Sequence, residues 1–175
     1  PEAPFDVRVD RAEYRYPGTS RDVLRGLSLT VPQGQRVAVL GRSGAGKSTL
    51  ASLVRGDIRP DAGGVTLGGS PTADLGDEAA KWIGVIQQRT YLFNMTLRDN
   101  LRIGREDATD DEVWDALGRV GLRSMAERLP NGLDTLVDEA GLRFSGGERH
   151  RVALARVLLQ DVPVVILDEP TVGLD

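Results

Sequence analysis

The first third of the chain has short runs of alternating apolar and polar residues separated by glycine and proline, the pattern of β-strands joined by turns. One strand is predicted in "FDVRVDRAEYRYPG", ending at Pro17 and Gly18, and two more in "LRGLSLTVPQGQRVAVLG", around a turn at residues 32–34. "KSTLASLVRG" predicts a helix that stops at Gly56, while "PDAGGVTLGG" and "KWIGVIQQ" each predict a further strand.

In the second half the apolar spacing changes to that of helices. "TDDEVWDALGRVG" and "LRSMAERLP" each place apolar residues on one face, and Thr109 and Glu112 have the spacing of a capping box. "SGGERHRVALARVLL" predicts another helix with the same kind of start, at Ser145 and Glu148. "PVVILDE" is a continuous apolar run of strand length, typical of a parallel strand buried on both faces.

A strand–loop–helix unit and a distant buried strand therefore bracket a mostly helical region, which predicts an α/β core with an inserted lobe. We expect a β lobe and core over about residues 1–88, a helical lobe over about 89–158, and a core strand over about 162–175.

Composition and charge exclude several classes of function. The chain has 175 residues, of which 40% are hydrophobic, and a net charge of −4, which argues against nucleic acid as a partner. It has no cysteine, which excludes thiolate zinc sites and cysteine catalysis. No apolar run approaches the roughly 18–20 residues that span a bilayer, so any membrane-spanning part is expected elsewhere.

The strongest motif is "GRSGAGKST", which matches G-x-x-x-x-G-K-[ST] between a predicted strand and a predicted helix. Its glycines let the backbone turn tightly and point N–H groups inward, and the helix N-terminus adds partial positive charge where phosphate binds. We expect Lys47 to reach the β- and γ-phosphates and the Ser48 hydroxyl to ligate Mg²⁺. The predicted nucleotide-binding residues of this loop are Gly41, Ser43, Gly44, Ala45, Gly46, Lys47, Ser48 and Thr49.

Two adjacent carboxylates, Asp168 and Glu169, follow the apolar run "VVIL". Because α/β sheets bind ligands at the carboxyl ends of their strands, Asp168 is placed to hold Mg²⁺ and Glu169 to polarise an attacking water. Taken alone, the two acids could equally cap the turn before Pro170. The phosphate loop favours the catalytic interpretation.

A second helix start with phosphate-binding character occurs in "FSGGERH", where a serine and two glycines precede Glu148. In isolation this stretch indicates only a well-capped helix. In a chain that already contains one phosphate-binding helix start, it indicates a second.

These stretches have a characteristic order: "GRSGAGKST", "GVIQQRTYLF", "FSGGE", "VVILDE" and "GLD". Together they resemble the nucleotide-binding domain of ATP-binding-cassette (ABC) proteins over nearly the whole chain. The resemblance implies an α/β P-loop NTPase core with an antiparallel β lobe and an inserted helical lobe, which binds ATP and Mg²⁺ and hydrolyses ATP. The family's switch histidine would lie beyond Asp175, so we expect the chain to be a C-terminally truncated part of a longer protein.

The resemblance also implies roles for single residues. Tyr16 matches the aromatic residue that stacks on adenine, with a core or edge tyrosine as the alternative. Gln88 matches the glutamine that contacts Mg²⁺ and the attacking water, with Gln87 as the alternative. Glu169, Lys47 and Gln88 are thereby the expected catalytic residues, and the expected metal ligands are Ser48, Gln88 and Asp168.

A dimer is implied by the signature motif of the family. Ser145, Gly146 and Gly147 match this motif, which contacts the γ-phosphate bound to an opposite subunit, and Asp175 matches the loop that crosses the dimer seam. The expected partner is therefore a second cassette, identical or different, facing the first head to tail with ATP between them.

The signature departs from its commonest form, Leu-Ser-Gly-Gly-Gln, at two positions. Phe144 replaces the leucine, and Glu148 replaces the glutamine. A negative charge near a phosphate weakens that contact, so we expect a weakened rather than an abolished composite site.

Other stretches resemble the exporter branch of the family. "TLVDEAGLRFSGG" is similar to the exporter loop T-x-V-G-E-x-G, with Asp138 in place of the glycine while Glu139 and Gly141 remain. "IQQRTYLFNMTLRDNL" and "PNGLDTLVDEAGLRFSGGERHR" are most similar to the bacterial thiol exporter linked to cytochrome bd assembly. This implies a transmembrane domain before Pro1 in the same polypeptide, with the chain at the cytoplasmic face of the bacterial plasma membrane.

Two alternatives stay open from the sequence. An importer ATPase subunit would lack the Glu139 and Gly141 pattern. A soluble ABC ATPase acting in DNA repair or on ribosomes usually carries a long coiled-coil insertion or tandem cassettes, and neither pattern is visible in the sequence.

Overall fold

The computed structural model describes residues 1–87, 90–137 and 144–168, and its contacts divide into two units, Pro1–Ile83 and Gly84–Asp175. The strands are β1 (Val7–Tyr14), β2 (Leu24–Val31), β3 (Ala62–Leu67), β4 (Ser70–Pro71), β5 (Ile83–Ile86), β6 (Met95–Thr96), β7 (Leu136–Val137) and β8 (Val164–Leu167). The α-helices are α1 (Lys47–Arg55), α2 (Leu97–Arg102), α3 (Asp110–Arg119), α4 (Arg123–Glu127) and α5 (Gly146–Gln160).

The first unit is built on an antiparallel sheet with the strand order β2-β1-β3-β4. Val9, at the centre of β1, lies opposite Leu29 of β2 and Val65 of β3. The register of both pairs shifts near Arg11, which has a positive φ of 44°. The alternating pattern of β1 thus places one set of apolar side chains towards the core, as predicted.

Helix α1 packs on this sheet through Leu50 and Leu53, which belong to the same core cluster as Val9 and Val65. The helix ends at Gly56, as predicted, with a left-handed φ of 82°. A Cβ at Gly56 would lie 2.2 Å from the carbonyl oxygen of Thr72, so only glycine fits at this end of α1.

The second unit contains the helices α2 to α5. Helix α3 begins with a complete capping box formed by Thr109 and Glu112. Helix α5 begins with another, formed by Ser145 and Glu148. Most of the buried apolar residues described in this unit form one cluster, which includes Leu97, Leu101, Val113, Leu117, Leu122, Phe144, Val152 and Leu159.

Two predicted strands differ from the structure. Residues 36–40 ("RVAVL") form no strand, and the Leu40 side chain is 90% exposed. Strand β8 forms, but Val165 and Leu167 are 46% and 50% exposed, so the prediction of burial on both faces is wrong. Such burial requires neighbours and covering layers on both sides of a strand. Within the described part of the chain, β8 pairs only with β5, and residues 36–40 pair with no strand.

Candidate functional site

The predicted phosphate loop is an exposed turn that leads directly into α1. Gly44 and Gly46 have left-handed φ angles of 76° and 94°, and the Ala45 N–H donates to the Arg42 carbonyl at 3.1 Å. A Cβ at Gly46 would lie 3.0 Å from the Leu24 side chain, so the residue before the helix must be glycine for both conformational and steric reasons. The loop thereby keeps its backbone compact and accessible.

Lys47 is the first residue of α1, and its side chain folds back over the loop. The Nζ atom donates to the Gly41 carbonyl at 2.6 Å and to the Arg42 carbonyl at 3.0 Å. Both partners are neutral carbonyl groups rather than carboxylates. The first turn of α1 contains no acidic residue. This end of the helix therefore has uncompensated positive potential suited to an anion.

The next two residues of α1 lie in different environments. Ser48 is exposed and can offer its hydroxyl to a ligand, whereas Thr49 is 3% exposed. The Thr49 hydroxyl lies 3.0 Å from the Tyr16 hydroxyl, at hydrogen-bond distance. The Tyr16 ring packs edge-to-face on Tyr14, with centroids 5.0 Å apart, yet remains 42% exposed. Tyr16 is thus not a core tyrosine, and it presents its ring beside the phosphate loop.

The contact between Tyr16 and Thr49 was not predicted, although both residues were placed at the site. The two residues are 33 positions apart, and neither motif contains a signal that pairs their hydroxyl groups.

Asp168 and Gln87 follow two neighbouring strands of the second unit. Each residue directly follows a strand, Asp168 after β8 and Gln87 after β5. The Asp168 N–H donates to the Ile86 carbonyl at 2.9 Å, so the carboxyl-terminal ends of both strands are adjacent. The predicted residues Gln88 and Glu169 lie outside the described residues, as do Asp175 and the exporter loop residues Asp138, Glu139 and Gly141.

The signature residues form the start of α5. The Ser145 hydroxyl accepts from the Glu148 N–H at 3.1 Å, and the Glu148 carboxylate accepts from the Ser145 N–H at 2.8 Å. Phe144, which replaces the usual leucine, is 7% exposed and packs in the helical core. The capping box therefore fixes the Ser145 side chain, and Phe144 anchors the segment that leads to it.

Neither glycine of the signature is required by the fold. A Cβ at Gly146 would meet nothing within 4 Å, and one at Gly147 would meet only the Ser145 hydroxyl at 4.0 Å. Neither residue has a positive φ. Among the described residues, no side chain lies within 4 Å of a Cβ placed at Gly146, which suits close approach by another molecule.

The groups in the phosphate loop suit a phosphate, and two predicted metal ligands have the oxygen atoms that suit Mg²⁺. Backbone N–H groups, an ammonium and a helix N-terminus suit phosphate, and the Ser48 hydroxyl and the Asp168 carboxylate are hard oxygen donors of the kind that Mg²⁺ prefers. No cluster of three or more histidine or acidic residues that could hold a metal alone occurs among the described residues.

Comparison with known proteins gives a consistent result. The family model described as "ABC transporter" matches residues 24–172. The chain is 51% identical over 156 residues to the glutathione/L-cysteine transport system ATP-binding/permease protein CydD of Bacillus subtilis, covering 89% of the chain and 27% of that protein. It is 43% identical over 164 residues to CydC of the same description from Escherichia coli K12, covering 93% and 28%.

A solved structure of a bacterial Atm1-family ABC exporter with ATP bound superimposes with a TM-score of 0.88 at 38% identity, covering 98% of the chain and 30% of that structure. The chain thus spans less than a third of the length of these three proteins.

Proposed function

Because the chain belongs to the ABC transporter family, we propose that it is the ATP-binding and ATP-hydrolysing motor domain of an exporter. The observation that carries this proposal is the phosphate loop, an accessible turn at the acid-free start of α1 with Lys47 beside it. The relatives favour an exporter over an importer subunit or a soluble ABC ATPase. CydD and CydC combine ATP-binding and permease in their descriptions, and the superimposed structure is an exporter.

ATP binding begins at residues 41–49. The backbone N–H groups of the loop and the start of α1 bind the phosphates, while Lys47 exchanges its two carbonyl partners for β- and γ-phosphate oxygens. Tyr16, fixed by Thr49 and Tyr14, offers its exposed ring to the adenine. Ser48, Asp168 and Gln88 would hold Mg²⁺, which would neutralise charge on the transferred phosphoryl group.

Hydrolysis depends on the residues next to the ends of β5 and β8. Gln88 follows Gln87, and Glu169 follows Asp168, so the adjacency of these strand ends supports a joint role for the two side chains. Glu169 polarises the attacking water, and Gln88 orients it. Since phosphoryl transfer requires mainly positioning and charge stabilisation, Lys47 supplies the remaining contribution from this chain.

The second cassette binds at the start of α5. Ser145, Gly146 and Gly147 complete the site of the opposite subunit by contacting its γ-phosphate, and Asp175 lies at the seam. Support comes from Gly146, where a Cβ would meet no described residue within 4 Å. The partner is a second copy or a related cassette.

The membrane-spanning part of the transporter is proposed from the descriptions of the related proteins. None of the helices in the described ranges is long and apolar enough to cross a bilayer. We place a transmembrane domain in the same polypeptide, N-terminal to Pro1, with the motor at the cytoplasmic face of a bacterial plasma membrane. The description of CydD as a glutathione/L-cysteine transport protein makes low-molecular-weight thiols the first substrate class to test.

A titration with a fluorescent ATP analogue and Mg²⁺ tests the proposal. Lys47 and Lys81 are the two lysines of the chain, and Lys81 is exposed and pairs with Glu78. We expect Lys47→Ala to weaken binding at least about tenfold, as expected for the loss of a charge-assisted phosphate contact, and Lys81→Ala to bind like the wild type. Equal affinities for wild type and Lys47→Ala would refute the site. Phosphate release, compared with Glu169→Gln, then tests hydrolysis.

A further inference from the structure

The second unit contains a partly buried arginine that the proposed mechanism does not use. Arg156, near the end of α5, donates from Nε to the Asn100 carbonyl (2.7 Å), from Nη1 to the Tyr91 carbonyl (2.9 Å) and from Nη2 to Asn100 Oδ1 (3.0 Å). All three acceptors are neutral. Burial lowers the pKa of the Arg156 guanidinium, and no carboxylate of the described residues opposes this effect.

Asn100 extends this network into the segment before α2. Its side chain is fully buried, and its Nδ2 donates to the carbonyls of Phe93, Met95 and Thr96 at 2.9, 3.3 and 3.1 Å. Its Oδ1 also accepts from the Phe93 N–H at 2.9 Å. A buried network in which the polar groups are satisfied holds one backbone conformation. Arg156 and Asn100 together therefore fix residues 91–96.

The backbones of α5 and the end of α2 are in close contact at the same place. A Cβ at Gly104 would lie 2.1 Å from the Arg156 carbonyl oxygen, so only glycine allows this approach. Arg156 is thus anchored through its backbone, and its side chain projects to a segment that begins shortly after Gln88. Helix α5 itself begins after Ser145. One side chain consequently connects the signature helix to the segment that follows the glutamines.

Packing alone does not account for an arginine at this position. Burying a guanidinium with only carbonyl partners carries a desolvation cost that an apolar side chain would avoid. The planar fork of arginine, however, can hold two separate backbone segments in a defined orientation, which neither leucine nor lysine can do.

We propose that Arg156 is a positioning residue for ATP hydrolysis, which holds segment 91–96 against α5 so that the glutamine and the signature helix keep a fixed geometry during turnover. This inference rests on the proposed function. Arg156 has no expected contact with ATP, Mg²⁺ or the attacking water, so it acts through the backbone that it holds.

The test uses Arg156→Lys in the complete polypeptide that carries this chain, because lysine retains the charge and the stem but loses the fork. We expect kcat for ATP hydrolysis to fall about tenfold, since small displacements of positioning groups have large effects. KM for ATP should change less than about twofold, because the phosphate loop is in the other unit. Arg119→Lys, an exposed arginine of the same unit, is the matched control and should behave like wild type.

A second measurement reports on the segment itself. Residues 1–175 contain no cysteine, so in a polypeptide with any other cysteines replaced, one introduced cysteine can carry a nitroxide label. We expect Arg156→Lys to increase label mobility at Asn94→Cys, in the fixed segment, and not at Ser124→Cys, an exposed reference position in α4.

The outcomes separate this inference from the proposed function. A lower melting temperature with unchanged kcat per folded molecule, or a raised KM, would overturn the positioning role and leave Arg156 purely structural. Unchanged label mobility at position 94 would also overturn it. A wild type that binds and hydrolyses no ATP would instead refute the proposed function, and the label comparison would still decide whether Arg156 fixes the segment.

Discussion

Single side chains at the candidate nucleotide site are held by contacts that the sequence motifs do not describe. Lys47 is bound to its own loop carbonyls, and Tyr16 is bound to Thr49 on α1. The glycine-rich motif was sufficient to place Lys47 and Ser48, because it is local in sequence. The bond between Tyr16 and Thr49 joins two distant stretches, and its geometry depends on how β1 and α1 pack.

The hydroxyl of Tyr16 is predicted to contribute to ATP affinity by fixing the ring. A neutral hydrogen bond contributes about 0.5–1.5 kcal/mol, so Tyr16→Phe should weaken ATP binding by about 2- to 10-fold. Thr49→Val should have a similar effect, and the double variant should be no worse than either single one. Isothermal titration with Mg²⁺-ATP checks this, and strictly additive effects would show that the two hydroxyl groups act independently.

Substitution of Glu148 is predicted to strengthen an interaction, whereas substitution of Tyr16 or Thr49 weakens one. Its carboxylate caps the Ser145 N–H, and a glutamine Oε1 can accept the same hydrogen bond without the negative charge. Glu148→Gln should therefore keep α5 folded and tighten ATP-dependent association of two cassettes by about 3- to 10-fold, as expected for removing a charge near phosphate. Sedimentation at several ATP concentrations measures this, and weaker association would mean that the carboxylate makes a favourable contact.

At the scale of elements, the helices with local start signals form as predicted, and so do strands β1, β2, β3 and β5. The predicted strand at residues 36–40 does not form. The capping boxes of α3 and α5 form as the Thr109–Glu112 and Ser145–Glu148 spacings indicated. Residues 36–40 have the apolar composition of a strand, but among the described residues they have no hydrogen-bonded neighbour. A pattern of apolar residues indicates that a segment can form a strand, but it does not show whether a neighbouring strand lies beside it.

The open start of α5 gives a prediction with a matched control. A Cβ meets nothing within 4 Å at either Gly146 in α5 or Gly118 in α3. Because leucine has a higher helix propensity than glycine, neither Gly146→Leu nor Gly118→Leu should destabilise the fold. Only Gly146→Leu should abolish ATP-dependent association. If both variants associate like the wild type, the second cassette does not bind at this surface.

Helix α3 is predicted to lose stabilisation in acid. Hydrogen bonding, from Arg105 first and then from the Thr109 backbone, lowers the pKa of Glu112 from 4.5 to about 2. A hydrogen bond from Arg98 is the main cause that lowers the pKa of Asp110. Because folding lowers the pKa of both carboxyl groups, their ionised forms stabilise the folded state at pH values above the pKa of the unfolded chain. This stabilisation is lost as pH falls, for Glu112 between about pH 4.5 and pH 2.

Urea unfolding at pH 7, 4.5 and 2.5 measures this effect. Glu112→Gln should be less stable than wild type at pH 7 and should lose less stability on acidification, because it lacks the titrating group. Glu106→Gln, which changes an exposed glutamate of the preceding loop, is the control and should keep the wild-type pH dependence. If the stability of Glu112→Gln fell with pH as steeply as that of the wild type, Glu112 would not be the group responsible.

At the scale of the whole molecule, the family and the mixed α/β class could be predicted from the sequence, because the motifs that carry them are short and ordered along the chain. The Arg156 and Asn100 network could not, since a polar residue on a helix gives no sign of which carbonyls it will reach. The phosphate loop belongs to the first unit, and Asp168 and the signature helix belong to the second.

The measurement that tests this account most directly is sedimentation velocity of Glu169→Gln with and without Mg²⁺-ATP. Removing the residue proposed to polarise water should leave ATP bound and unhydrolysed, so we predict a dimer with Mg²⁺-ATP and a monomer without it. Adding Lys47→Ala to the same chain should abolish the dimer. A Glu169→Gln variant that binds ATP yet remains monomeric at every concentration, or that hydrolyses ATP like the wild type, would contradict the account.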